Sequence, residues 1–374
     1  MFYHDLTQIY DGVRQQHNIM AIVGNGFDIQ ALFALGAGSD TRYESFVRYL
    51  KENDFDPTNF ILEEMERQRS AGTKDWSDIE QAIARLIDQR RLSEDQVLQA
   101  LRRIQKAFSR FLNMVVTPEI LGQLGHEASS GKLTVASFAE FLGDIHDEDH
   151  YARMNFWTTV NIGDAFNYLF VNLNYTTLLD DYLHLDRDQF NPHPFASSDR
   201  NFRFRPNPRG FRCSTERQDF RMVAYLHTNV VHPHGSQYIP RSLLFGVDST
   251  STRSNALSKP YWAQSDARYK LAISDTNLFV VFGSSIGSSD GWWWREIANR
   301  VTSSDGAELI IYWRRADGDI RAEFDISQHF AAAAGMESDQ DRVQRLISRT
   351  LVIIYSDDTP RAFLNTNPAL APSW

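Results

Sequence analysis

The hydrophobic pattern of this chain shows short apolar runs of strand length at its start and through its second half. The first covers residues 18–23, and the later ones cover 168–173, 222–226, 242–247, 278–282, 309–313 and 351–355. Each is rich in Val, Ile, Phe or Tyr and is bounded by polar turns, as expected of β-strands. Helical patterns lie between several of them, notably at 292–301 and 339–347. This alternation predicts an α/β fold with a Rossmann-like, mostly parallel sheet covered by helices on both faces.

A long block of helical periodicity separates the first strand from the others. Over residues 43–112 apolar side chains recur every three or four positions: Ile79, Ile83, Leu86, Ile87, Val97, Leu101, Ile104, Phe108 and Phe111. We predict helix caps at Asp75 or Ser77, and a capping box formed by Ser93 and Gln96.

The helical block is expected to interrupt one domain. Helices should continue to about residue 167, with loops near 122–132 and 144–150. Because the first strand belongs to the later sheet, we predict a single α/β domain over residues 1–374 with an all-helical insertion at about 42–167.

Composition and charge indicate a cytoplasmic, soluble protein. Hydrophobic residues make up 42% of the 374 positions and charged residues 23%. The net charge of −10 disfavours nucleic acid and anionic membranes as partners. Cys213 is the only cysteine, which excludes a disulfide within the chain and fits a reducing compartment. Residues 1–16 lack a signal-peptide pattern, and no apolar run approaches the roughly 18 residues that span a bilayer.

Candidate chemistry follows the ends of the predicted strands, where open α/β sheets bind ligands. The polar residues at these ends are Gly24, Asn25, Gly26 and Asp28; Asn174, Tyr175 and Thr176; His232, His234 and Gly235; Gly246 and Asp248; and Gly283, Ser284, Ser285 and Asp290. Glycines, amides, histidines and carboxylates are the components of a nucleotide pocket with acid–base chemistry. The first turn is an incomplete dinucleotide fingerprint, because Ile29 stands where a third glycine is expected.

Spaced blocks along most of the chain resemble the AbiH abortive-infection family, which is similar to the sirtuin-type NAD-binding superfamily. The blocks are Gly24–Asp28 (GNGFD), Thr41–Phe46, Trp76–Glu80, Asn172–Thr176 (NLNYT), His232–Gly235 (HPHG), and Gly283–Ser285 with Asp290. The chain departs from the family pattern at Pro233, at Ser284, where a histidine is often found, and over residues 30–35.

The resemblance implies that the protein binds NAD and hydrolyses it to ADP-ribose and nicotinamide during phage defence, with no metal. It implies catalytic roles for Asn174, which would hold the ribose or a water, and for His234 as general base. It implies a cofactor-binding role for Gly24, Asn25, Gly26, Phe27, Asp28, Gly235, Gly283, Ser284, Ser285 and Asp290. The first three would donate backbone hydrogen bonds to the pyrophosphate, Gly283–Ser285 would contact the adenosine side, and Asp28 would orient the ribose or the loop.

Two other activities fit less well, and one alternative stays open. Deacylation normally requires a zinc site of four cysteines, and a nuclease requires an acidic metal cluster. The open alternative is a non-catalytic module that senses NAD or ADP-ribose and gates a partner protein. A phage-derived trigger or defence partner is expected with either function, together with a homo-oligomer.

Several conspicuous segments have plainer interpretations. His146–His150 has metal-like spacing but fits a solvated acidic loop better. Gly36–Ser39 is interpreted as a loop, and the arginines within 200–221 as an exposed loop rather than a phosphate clamp. Trp292–Trp294 point in three directions on a helix, so we expect at least one to meet the pocket, the insertion or another subunit.

Overall fold

The computed structural model describes residues 3, 5–9, 11–73, 76–88, 93–183, 202–212, 220–248 and 257–374. Within these residues the central feature is a six-stranded sheet in which every strand pair is parallel, with the order β5-β2-β1-β6-β7-β8. Its strands are β1 (Gln16–Val23), β2 (Ala165–Asn172), β5 (Tyr225–Val231), β6 (Leu278–Phe282), β7 (Glu308–Arg314) and β8 (Thr350–Tyr355). Two short strands, β3 (Arg203–Phe204) and β4 (Met222–Val223), form a separate sheet. This confirms the predicted Rossmann-like α/β fold.

Helices cover both faces of the sheet. They are α1 (Leu6–Ile9), α2 (Gly26–Ala34), α3 (Tyr43–Glu52), α4 (Phe60–Ser70), α5 (Ile79–Asp88), α6 (Glu94–Val115), α7 (Pro118–Ser130), α8 (Leu133–Ala139), α9 (Glu148–Arg153), α10 (Lys259–Trp262), α11 (Ser265–Asp275), α12 (Gly291–Ser303), α13 (Glu323–Ala333) and α14 (Gln340–Ser348). Helices α3 to α9 form the insertion between α2 and β2, and the capping box at Ser93 is confirmed.

The predicted boundaries of the insertion are wrong at two places. The expected loop near 122–132 is helical, because Thr117 caps α7, Pro118 occupies its first turn, and the helix buries Leu124 and Ala128. The insertion also ends earlier than residue 167, since strand β2 begins at Ala165.

The predicted strand at 242–247 is also wrong. Its apolar residues Leu243 and Phe245 are buried, but the backbone forms a 3₁₀ turn at Pro240–Ser242 and then an extended loop. Only Val247 makes a β-bridge, with Ser258. A continuous apolar run therefore marks burial here and not membership of the sheet.

The apolar core has two halves, one on each face of the sheet. Alternate residues of β1 point to opposite faces: Ile19 and Ala21 pack with the insertion, and Met20 and Ile22 pack with α11 to α14. The insertion thus shares one hydrophobic cluster with the sheet. Within the described residues no helix is both long and apolar enough to cross a membrane.

Residues Trp292–Trp294, of which we expected at least one to meet the pocket, the insertion or another subunit, are all buried within this one chain. Helix α12 lies between two others, so Trp293 contacts Tyr269 of α11 while Trp294 contacts Phe330 of α13. The tryptophans therefore give no support for an interface between subunits.

Candidate functional site

A cavity of about 870 Å³ lies at the carboxyl ends of the strands, beneath the helical insertion. The order of the strands reverses beside β1, because β2 lies on one side of it and β6 on the other. Such a reversal is where open α/β sheets form their binding crevice. Insertion residues such as Tyr43, Glu80 and Phe108 complete the wall. The volume falls within the range of small-molecule and cofactor sites.

The cavity is elongated along the edge of the sheet. One end is lined by His234, three residues beyond β5, and the other by Arg314 at the end of β7. These strands are four steps apart in the sheet order, which corresponds to roughly 19 Å at the usual strand spacing. A ligand filling this cavity is long and narrow.

The two-glycine turn after β1 packs directly on the turn after β6. Gly24 N donates to Phe282 O and Gly26 N donates to Gly283 O, each at 2.8 Å. A Cβ atom at Gly24 would lie 2.7 Å from Gly283 O, and one at Gly26 would lie 2.7 Å from Gly283 Cα. The glycines are therefore required for contact between two backbones. We had expected the N–H groups of Gly24 and Gly26 to donate to a pyrophosphate. This expectation is wrong, because both groups already donate to the carbonyl groups of Phe282 and Gly283.

Three neighbouring candidates have structural roles. Asn25 accepts a 2.6 Å hydrogen bond from Thr41 Oγ1 and so ties the turn to the start of the insertion. Phe27 is fully buried, packs edge to face on Tyr182, and does not line the cavity. Gly235 also lies off the cavity; its φ of +89° and its contact with Ser242 require glycine.

Asp28 is a buried carboxylate that joins β1 to β2. It accepts hydrogen bonds from Asn174 Nδ2 at 2.9 Å and from Thr176 Oγ1 at 2.6 Å. Burial raises the pKa of Asp28 to about 7, although these two hydrogen bonds oppose the shift. The Asp28 carboxyl therefore exchanges a proton near neutral pH while lining the cavity.

Asn174 is held rigidly by its own hydrogen bonds. Its amide nitrogen Nδ2 donates to Gly24 O at 3.1 Å as well as to Asp28, and its backbone N donates to Asn172 Oδ1 at 3.0 Å. The side chain of Asn172 therefore supports the backbone of Asn174. Since Nδ2 is occupied, Oδ1 is the atom of this amide that is left to face a ligand.

Both ring nitrogens of His234 are engaged. Nδ1 lies 3.0 Å from Leu173 O, and because a carbonyl only accepts, Nδ1 carries a proton. Nε2 lies 3.2 Å from Asp290 Oδ1. His234 lines the cavity at the end of β5, and its side chain is only 5% exposed.

Lys259 is a site residue that sequence reasoning missed. Its Nζ lies 2.5 Å from Glu80 Oε1 and 3.2 Å from Asp290 Oδ1, and its side chain is 4% exposed. We call Glu80, Lys259, Asp290 and His234 the buried charge cluster. A lone lysine before a proline carries no motif, whereas Glu80 stood in the quoted Trp76–Glu80 block.

The charges in this cluster stabilise one another. Burial alone would lower the pKa of Lys259, but Asp290 and Glu80 raise it well above its usual value. Burial alone would raise the pKa of Asp290, but Lys259 and His234 hold it well below its usual range. Burial raises the pKa of Glu80, and Lys259 opposes that shift. The cluster is a set of paired ions at the insertion side of the cavity.

The opposite end of the cavity carries hydroxyl groups and arginines. Ser284 and Ser285 follow Gly283 there, and Ser284 Oγ accepts a hydrogen bond from Ile286 N at 3.1 Å. Arg314 pairs with Asp357, and Arg321 lies 4.5 Å above the ring of Trp313. Arg321 is also paired with Asp319, so this end presents two guanidinium groups that are each bound to a carboxylate, together with an aromatic surface.

The remaining candidate segments lie elsewhere. Trp76 packs under Arg69, and Gly36 has a positive φ in the turn after α2, so Gly36–Ser39 is the loop expected. Much of the segment 200–221 lies outside the described residues; of its described arginines, Arg209 bonds Gly143 O and the ring of His146. Among the described residues no group of three or more His, Cys, Asp or Glu is arranged to hold a metal ion.

These features define a Rossmann-like α/β protein with a ligand cavity enclosed by a helical insertion. The model of the bacteriophage abortive infection family AbiH matches residues 20–312, which is most of the chain. The chain therefore belongs to the AbiH family, as its spaced sequence blocks had indicated. No protein with a curated description matches it.

Proposed function

We propose that this AbiH protein acts in phage defence by binding NAD in the cavity and hydrolysing it to ADP-ribose and nicotinamide. The supporting observation is that Asn174 and His234, on adjacent strands, line one end of an elongated cavity of about 870 Å³ at the carboxyl edge of the sheet. NAD is a linear molecule, and the cavity is lined by residues at the ends of all six strands of the sheet, which suits a dinucleotide.

The charges favour one orientation of the ligand. We place the nicotinamide ribose beside Asn174 and His234, and the adenosine half beyond Gly283 toward Arg314. When the nicotinamide–ribose bond breaks, positive charge develops at C1′ of the ribose. The carboxylates of Glu80 and Asp290 line that same end of the cavity and would stabilise this charge.

Hydrolysis balances with water as the only co-reactant. Water attacks C1′, the C1′–N bond breaks, and its electron pair returns to the nicotinamide nitrogen, which leaves neutral. The attacking water loses one proton. For His234 to accept it, the contact between Nε2 and Asp290 must open and Nε2 must be unprotonated.

One observation favours the second candidate, a sensor of NAD or ADP-ribose that gates a partner without cleaving its ligand. In the structure both ring nitrogens of His234 are in contact with protein oxygen atoms, Nδ1 with Leu173 O and Nε2 with Asp290 Oδ1. Pure binding would not require the ring to act as a base.

The proposal is tested by incubating the purified full chain with NAD, with and without an extract of phage-infected cells, and separating the products by chromatography. We expect nicotinamide and ADP-ribose in equal amounts. Asn174→Ala and His234→Ala should each reduce turnover by about 100-fold or more, as for loss of a catalytic acid–base or positioning group. His227→Ala on β5, a half-buried histidine away from the cavity, is the matched control and should retain turnover.

The outcomes separate the two candidates. NAD binding without any product, in the presence of the infected-cell extract, would favour the sensor. Unchanged turnover in both cavity variants would exclude this site, and failure of the protein to bind either NAD or ADP-ribose in calorimetry would contradict both candidates.

A further inference from the structure

We infer that Lys259 is a positioning residue for His234, acting through Asp290, and that Glu80 extends this link to the helical insertion. The consequence for catalysis rests on the proposed NAD hydrolysis, whereas the link itself is a property of the folded protein. Lys259 and His234 both contact Asp290, so the influence of Lys259 passes through the shared carboxylate.

The link is a continuous line of contacts between buried groups. Glu80 Oε1 lies 2.5 Å from Lys259 Nζ, which lies 3.2 Å from Asp290 Oδ1. The same Oδ1 atom lies 3.2 Å from His234 Nε2. One carboxylate oxygen therefore serves both the lysine and the histidine, and neither contact is independent of the other.

Each member of the buried charge cluster is fixed by a different part of the backbone. Lys259 N donates to Val247 O at 3.0 Å at the start of α10. Glu80 N donates to the capping side chain of Asp78 at 2.8 Å, which sets the first turn of α5 in the insertion. Asp290 directly precedes α12. These segments meet at the cluster, so their side-chain charges connect the insertion to the histidine.

Lys259 is required because it is the cation between two carboxylates. Without it, Glu80 and Asp290 would share a buried region with only His234 to balance them, and burial penalises unpaired carboxylates. One carboxyl would then take up a proton. A protonated Asp290 no longer fixes the proton on His234 Nε2, and the ring keeps only its hydrogen bond to Leu173 O.

Because Glu80 belongs to the insertion, movement of the insertion can affect His234 through the buried charge cluster. A movement of α5 that withdraws Glu80 leaves Lys259 with Asp290 as its carboxylate partner in the cluster, which strengthens the hold of Lys259 on Asp290. Movement of the insertion would thus change the state of His234 without any contact between the insertion and the imidazole ring.

Nuclear magnetic resonance of protein labelled with ¹⁵N-histidine tests the link without reference to activity. In the wild-type chain we expect two downfield imidazole N–H signals from His234, one held by Leu173 O and one by Asp290; His234→Ala assigns them. Lys259→Met should lose the Nε2–H signal and retain the Nδ1–H signal. Glu80→Gln should retain both signals, because the contact between Lys259 and Asp290 remains, but should shift the Nε2–H signal, because Asp290 is then the carboxylate partner of Lys259 in the cluster.

The double variant Glu80→Gln/Lys259→Met separates positioning from folding. It removes one positive and one negative charge together, so the cluster keeps its net charge while Asp290 still lacks the lysine. Because no second carboxylate is then left in the cluster, we expect this variant to fold and to keep the Nε2–H signal that Lys259→Met loses. The buried pair of His17 with Asp164 provides an internal reference signal that should not change.

A persistent Nε2–H signal in Lys259→Met, or its absence in the wild-type chain or in the double variant, would overturn the inference. If the wild-type chain hydrolyses NAD, Lys259→Met should raise kcat about tenfold with little change in KM, because Nε2 then lacks the proton that prevents it from acting as a base. If it does not hydrolyse NAD, the proposed activity fails while the resonance result still decides the role of Lys259.

Discussion

At the scale of single residues, Asp28 shows how burial changes the meaning of a motif. The sequence presents it as a polar residue that orients a ribose, whereas the structure buries it completely between Asn174 and Thr176. A carboxyl that is protonated in the folded protein but ionised in the unfolded chain makes stability depend on pH.

We expect Asp28→Asn to remove part of this pH dependence. The folded-state pKa is about 7, above the ordinary value of 3.8, so the folded protein holds a proton that the unfolded chain releases. The contribution of Asp28 to stability is therefore fully present below about pH 4 and is lost as the pH rises to about 7, by up to about 1.4 kcal/mol per pH unit.

Urea unfolding of the wild type and of Asp28→Asn at about pH 5 and about pH 8 measures this difference. The wild type should lose stability relative to the variant as the pH rises. The exposed Asp11→Asn is the control and should follow the wild type. Parallel curves for wild type and Asp28→Asn would contradict the assignment.

The sequence predicts contacts between residues that are close together along the chain, but not contacts between residues that are far apart along it. The alternation of Asn172 and Asn174 already indicated a supporting pair, because residues two apart on a strand face the same side. Lys259 could not be found in this way, since its partners Glu80 and Asp290 are distant in the chain and meet only in the fold.

At the scale of elements, two turns are built as one unit. The turn after β1 and the turn after β6 touch through Gly24, Gly26 and Gly283, with hydrogen bonds between their backbones. Because β1 and β6 are adjacent and in register, this contact fixes the floor of the cavity.

Gly283→Ala should destabilise the protein more than a glycine-to-alanine substitution that causes backbone strain but no steric clash. Gly283 has a φ of +65°, and a Cβ there would lie 2.8 Å from Phe27 N. Gly318 is the matched control, with a φ of +78° and no atom within 4 Å of a new Cβ. We expect Gly318→Ala to cost about 1–2 kcal/mol and Gly283→Ala clearly more. Equal losses in urea unfolding would show that the contact between the turns is not tight.

The hydrophobic periodicity predicted which segments are helices and which are strands. The helix cap and the strand discussed here were predicted wrongly, because each rested on a local pattern with more than one interpretation. Both Asp75 and Ser77 resembled caps, but the structure places the cap of α5 at Asp78, which accepts from Glu80 N and Gln81 N; Asp75 lies outside the described residues. Several polar residues in a row make the exact cap undeterminable from sequence alone. The prediction of a strand at 242–247 was wrong for another reason. A buried apolar loop has the same hydrophobic pattern as a buried strand, so the sequence does not distinguish the two.

At the scale of the whole molecule, the insertion and the sheet act together at one cavity. The AbiH blocks predicted which segments meet, but the order of the strands and the enclosure by α5 and α6 depend on contacts between distant residues, which periodicity does not encode. A homo-oligomer stays a prediction from sequence, without the tryptophans to support it.

We expect NAD binding to order the helical insertion and the turns of the sheet at the same time, and hydrogen exchange measures this. Adding NAD is expected to slow exchange in α5 of the insertion and in the turn after Gly283, because both line the cavity. Helix α14, which contributes no residue to the cavity lining, is the internal control and should be unaffected. Slowing confined to the turns of the sheet would mean that the insertion is not a wall of the occupied site.

The central position of β1 has a consequence for synthesis of the chain. Its partner β2 is made only after the insertion, and at about 5 to 20 residues per second β6 follows β1 by roughly 13 to 50 s. Residues as late as Tyr355 line the cavity. A ribosome-bound chain that has not reached β7 therefore lacks a complete cavity, and with the proposed activity it would leave the NAD of its host intact until β7 and β8 have been made.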